Sequence, residues 1–123
     1  MNAAGVALGI FCFGGLGSMA RFWLHRSIVR GHPSEFPLGT FIANIGGAFL
    51  IGVLFGANAS GDGLKIAATG FLGGFTTFST WMYETERLAV DGYAHGAARN
   101  LAVSSAVGFL AVTAGVAVGQ LFR

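Results

Sequence analysis

Charge is what this chain has least of. Its 123 residues include 7 Lys or Arg and 5 Asp or Glu, so charged residues make up 10%. A soluble domain carries about 25%. That deficit excludes an ordinary soluble fold, and the formal charge of +2 is too small to point to nucleic acid. Cysteine is equally scarce. Cys12 stands alone in an apolar run, which excludes a disulfide framework or a thiolate metal cluster built from this chain alone. Histidine, cysteine and carboxylate residues nowhere take metal-ligand spacing, and no Ser-His-Asp arrangement, P-loop or dinucleotide fingerprint is present. An enzyme is not expected. The N-terminus lacks a basic segment ahead of its apolar stretch and does not read as a cleaved signal. Prolines number 2 and glycines 21; so much glycine without polar low complexity fits closely packed transmembrane helices.

The few charges delimit four uncharged windows: Asn2 to Ala20, Phe36 to Gly61, Ile66 to Tyr83 and Asn100 to Phe122. Each is near the roughly 20 residues that cross a hydrocarbon layer. The expected fold is an all-α membrane protein of four transmembrane helices, over about 3–24, 36–58, 66–84 and 100–122, in one domain covering 1–123 without a linker. Small residues recur every four positions: Gly5 and Gly9; Ala48, Gly52 and Gly56; Gly70 and Gly74; Ala111, Gly115 and Gly119. This spacing lets helix backbones approach closely, within one chain or between subunits. Four spans put both termini on one side, with Lys65 and Arg123, against Arg26, Arg30 and Arg87 on the other, plus Arg21 and Arg99 at helix ends. So modest a Lys/Arg bias allows insertion in both orientations.

The third window contains a contradiction. TGFLGGFTTFSTWMY, residues 69–83, sits where a span belongs yet carries Gly73 and Gly74 followed by Thr76, Thr77, Ser79 and Thr80. Glycine costs roughly 1 kcal/mol against alanine in a helix, and Ser and Thr compete for backbone hydrogen bonds. A break at membrane depth is tolerated only inside protein or against a wet cavity, and in transporters it marks an ion or substrate site. Phe71, Phe75, Phe78 and Trp81 run through it as an aromatic stripe, either packing or ring edges turned to an anion. Asn44, with Thr40 one turn before it, is the clearest polar group in mid-span; it is either interhelical glue or a donor to an anion in transit. Asn100, Ser104 and Gly108 form a second small-polar stripe. No Asp or Glu lies inside a span, and Glu84 at the end of the third is the nearest. This argues against a small dual-topology multidrug exporter, which needs a membrane carboxylate. His25, His32 and His95 read as isolated, solvated groups near helix ends.

GGLGSMARFWL at Gly14–Leu24, GTFIANIGGAFLIG at Gly39–Gly52 and TGFLGGFTTFST at Thr69–Thr80 resemble the Fluc/CrcB family of fluoride channels, over essentially the whole chain. The resemblance implies an antiparallel dual-topology dimer in the cell inner (plasma) membrane that lets fluoride leave the cytoplasm passively. It implies a structural Na⁺ at the dimer interface, held by backbone carbonyls of Gly73 and Thr76. Asn44, Phe78, Trp81, Ser104, Asn100 and Thr40 would be the pore or fluoride-binding residues, and Arg21 the vestibule cation. Glu84 and Thr77 would have gating or structural parts. Trp81 stands where the family has a second pore phenylalanine, and Gly108 where some members have serine. Because some relatives pair non-identical subunits, one half of a heterodimeric channel is the other reading.

Overall fold

The structure is a computed structural model of the chain and describes residues 1–32 and 34–123. It is all-helical. Helix α1 covers Ala3–Gly31 and α2 covers Leu38–Gly56. The third helical segment is composite: α3 (Gly61–Lys65), a π-helical stretch (Ile66–Leu72) and α4 (Gly73–Phe75) form one rod, and α5 (Phe78–Val90) follows after a break. Helix α6 covers Ala94–Gly119 and ends in a 3₁₀ turn, Gln120–Phe122. Three segments, Ala3–Gly31, Leu38–Gly56 and Ala94–Phe122, are long and apolar enough to cross a membrane. The third segment, whose helix is interrupted, falls outside that set.

The first helix is longer than its uncharged window. At 29 residues and about 1.5 Å per residue it exceeds the hydrocarbon thickness, so Arg21, His25, Arg26 and Arg30 all lie on α1 itself. The helix starts at an Asn2 cap, whose side chain accepts from the Gly5 N–H, filling one of the orphan donors of a helix start. Asp62 receives both the N-terminal ammonium (2.9 Å) and Lys65 Nζ (3.2 Å), and the two cations hold its carboxyl below the usual carboxylate range. This exposed cluster ties the start of α1 to α3.

Glycine is what brings the helices together. A methyl group on Gly52 or Gly56 would collide with the carbonyls of Val112 or Val116; one on Gly115 or Gly119 would collide with those of Phe49 or Val53. The stripes of α2 and α6 therefore face one another within the chain, backbone against backbone. Lipid tails give helices no hydrophobic reason to associate, so close van der Waals packing of this kind supplies the attraction. The same device joins α1 to the third segment: Gly17 lies against the Phe71 carbonyl, and Gly74 against that of Gly14. Large apolar side chains such as Phe11, Phe55 and Phe109 point outward, as lipid-facing positions do.

Gly115→Val should force α2 from α6 and cost about 1–3 kcal/mol, the usual range for overpacking. Gly15→Ala, where an added methyl meets open space, should be neutral or stabilise by up to about 1 kcal/mol through helix propensity. Thermal unfolding of the two variants in detergent checks the contrast; equal midpoints would remove the packing argument.

Candidate ion pathway

The break does not fall on the glycine pair. Gly73 and Gly74 keep helical backbone, and the extended residues are Thr76 (φ −86°, ψ 160°) and Thr77 (φ −151°, ψ 122°). Gly74 is required for contact with α1 rather than for its flexibility. The threonines terminate the two half-helices from within. Thr76 sends both its N–H (3.0 Å) and its hydroxyl (2.9 Å) back to the Leu72 carbonyl. Thr77 caps α5, its Oγ1 accepting from the Thr80 N–H at 3.3 Å and donating to Thr80 Oγ1 at 3.0 Å.

Asn44 holds the joint open from α2. Its Oδ1 accepts the Thr77 N–H at 2.8 Å and its Nδ2 donates to the Thr77 carbonyl at 2.9 Å. In an unbroken helix that N–H would return to the carbonyl of Gly73; here Asn44 takes it. The Gly47 position makes room, since a methyl there would run into Thr76 Cγ2. From α1, Ser18 Oγ (3.3 Å) and Arg21 Nε (3.2 Å) both donate to the Gly74 carbonyl. A guanidinium at the carbonyl end of a half-helix complements its negative dipole end. Among the described residues one N–H of Arg21 is engaged, of the five a guanidinium carries.

Two cavities meet at Thr77. On one side lies an open groove of about 430 Å³, lined by Asn44, Gly73, Thr76, Thr77, Phe78 and Trp81 among others. On the other lies a cavity of about 380 Å³ walled by Ser18, Arg21, His25, Thr40, Thr77, Thr80, Tyr83 and Glu84. It shares His25, Tyr83 and Glu84 with a third cavity of about 310 Å³ beside the α1–α2 turn, the mouth. Phe78 and Trp81 meet edge to face, with centroids 5.8 Å apart at 80°, and Phe78 is 71% exposed. The aromatic stripe does not continue through the break: Phe71 and Phe75 stack on each other at 5.9 Å instead.

Most of the expected site residues thus gather here. Asn44, Phe78, Trp81, Gly73, Thr76 and Thr77 line the groove; Arg21, Thr40, Glu84 and again Thr77 line the cavity. Asn100 and Ser104 do not. Asn100 is fully buried and bridges α6 to α5: its Nδ2 donates to Thr85 Oγ1 at 2.8 Å, its Oδ1 accepts from Ser104 at 3.2 Å, and Thr85 donates to the Trp81 carbonyl at 2.7 Å. Within the chain, their polar groups form a relay behind Trp81 rather than a wall of either cavity. Two buried atoms find no hydrogen-bond partner among the described residues, Trp81 Nε1 and Glu84 Oε2. Sequence reasoning missed His25. The imidazole lies against Gly39, where a methyl group would collide with it, and it neighbours Glu84. It is on the cavity wall because α1 continues past it. Its signal was the i, i+4 spacing from Arg21, which sets both on one helix face.

A family model described as CrcB-like protein, Camphor Resistance (CrcB), matches residues 8–116. The chain belongs to the CrcB-like family. Among its relatives, the fluoride-specific ion channel FluC 2 of Mycobacterium bovis is 42% identical over 114 residues, 93% of this chain and 90% of that protein. FluC 2 of Mycolicibacterium paratuberculosis is 39% identical over 121 residues, 98% of this chain and 99% of its own. FluC of Solidesulfovibrio magneticus is 38% identical over 113 residues, 88% and 90%. For this CrcB-like chain, the apolar helices and the family together mean a multi-pass membrane protein of the plasma membrane.

Asn44→Ala should leave the Thr77 N–H and carbonyl without partners at membrane depth, at about 1–3 kcal/mol for each group. A fall in detergent stability relative to wild type is the expected reading; an unchanged midpoint would show that Asn44 does not hold the break.

Proposed function

We propose that this protein is a passive, fluoride-selective channel that lets the anion leave the cytoplasm. The observation that carries the reading is the clamped break between two cavities. It sets the N-terminal end of α5 and the Arg21 guanidinium on the same passage. A helix N-terminus presents unpaired N–H groups and a partial positive charge. Fluoride is small and strongly hydrated, so a selective path replaces its water with donors at short range. Arg21 concentrates the anion in the cavity. The hydroxyls of Thr77 and Thr80 and the start of α5 follow. Asn44 engages one of its two amide N–H groups with Thr77, and the other serves the ion. Beyond Thr77, the ring edges of Phe78 and Trp81 carry positive potential without a full charge. A passive leak needs no coupling carboxylate in mid-span, and fluoride trapped inside by external acid leaves down its own gradient. The relatives' printed names, fluoride-specific ion channels, support the same substrate.

Assembly belongs to the same proposal. The groove is open on the face that carries Phe78, and a second copy inserted in the opposite orientation would close it, giving two equivalent pathways. The weak Lys/Arg bias fits such dual insertion. Gly73 and Thr76 fit a structural Na⁺ between the copies. The Thr77 N–H goes to Asn44 instead of Gly73, and Thr76 is extended, which frees hard carbonyl oxygens of the kind small hard cations prefer.

Reconstituted in liposomes, the chain should release fluoride, followed with a fluoride electrode, and little chloride. Absence of fluoride release, or equal chloride release, would refute the reading. Trp81→Phe should keep the flux; complete loss would give the indole an indispensable part of its own. Labelling of engineered cysteines from both sides of the membrane tests dual insertion, which strictly one-sided labelling would exclude.

A further inference from the structure

The mouth of the pathway has the wrong charge for an anion. Its wall carries three carboxyl groups, Glu35, Glu84 and Asp91, against one guanidinium, Arg87. Arg87 stands 3.9 Å from Asp91, so even that charge is partly matched. The remaining titratable groups on the wall are Tyr83, His25 and His32. Further in, Arg21 is opposed by Glu84, and His25 is again the additional basic group. His25 is therefore common to both chambers. It sits one helical turn beyond Arg21 on α1, rests on Gly39 of α2 and neighbours Glu84 of α5. With the imidazole neutral, the inner chamber holds one cation and one carboxyl. With a proton on it, the balance of that chamber turns positive. Histidine is the side-chain type whose ordinary titration range spans pH 5 to 8.

We infer that His25 determines anion entry: its protonated imidazole offsets the Glu84 carboxyl and passes the anion from the mouth to Arg21. Conduction then rises as the solution bathing the mouth becomes more acidic. The inference rests on the anion-channel reading and adds to it a positioning residue of this chain. Charge in a narrow, low-dielectric passage acts on local ion concentration and entry rate, so the effect belongs to conductance and not to fold.

The test is fluoride current through the full-length protein in planar bilayers, since neutral HF carries no current. Wild-type current should rise about fivefold or more between about pH 7.5 and about pH 5.5. His25→Gln should flatten that rise to less than about twofold. His25→Lys, charged throughout, should give high current at both pH values, a rescue that a merely structural role would not produce. A wild-type current independent of pH overturns the inference, as does an undiminished rise in His25→Gln or its loss in His32→Gln alone. Absence of fluoride current from wild type at every pH is a different result, and overturns the channel reading itself.

Discussion

The pathway depends on two hydrogen bonds between one side chain and one peptide unit. Asn44 gives the Thr77 N–H an acceptor and the Thr77 carbonyl a donor, as a neighbouring β-strand would. In hydrocarbon an unsatisfied peptide group costs several kcal/mol, so this partner is what makes the break tolerable at that depth. Closing it would remove the N-terminal end of α5, return the Gly73 carbonyl to the helix ladder and take Thr77 from the meeting point of the two cavities. Arg21 and Ser18 perform the matching task on the other half-helix, at Gly74.

Glycine and asparagine divide the labour differently from what their chemistry first suggests. The glycine pair reads as a helix breaker, yet its backbone is helical and Gly74 is needed for contact with α1. The breakers are Thr76 and Thr77, whose hydroxyls cap the ends that their own backbones create. Asn44, the obvious donor for an anion, is first a prop for the protein. These assignments agree with the close packing of α2 on α6, which leaves α2 little freedom to slide and so fixes the depth of Asn44.

The elements legible in the sequence are those set by local pattern. Uncharged windows located the helices, and polar crowding located the break to within a turn. Thr40, Asn44, Phe78 and Trp81 stood out because polar or aromatic groups at that depth need a reason, whereas Arg21 stood out only through the family resemblance. What stayed hidden depends on partners distant in sequence. Nothing near Asn44 indicates that a backbone peptide is its partner, and nothing near Asn100 indicates that Thr85 is its own. His25 was obscured by a boundary drawn at the first arginine, although α1 continues to Gly31. The aromatic stripe looked continuous because its spacing is helical, while the break rotates its lower half away from its upper half.

The partners Asn44 and Thr77 are 33 residues apart, and the ribosome makes the asparagine first. The peptide that most needs a partner thus finds it outside its own segment, and the kink exists only where α2 lies beside it.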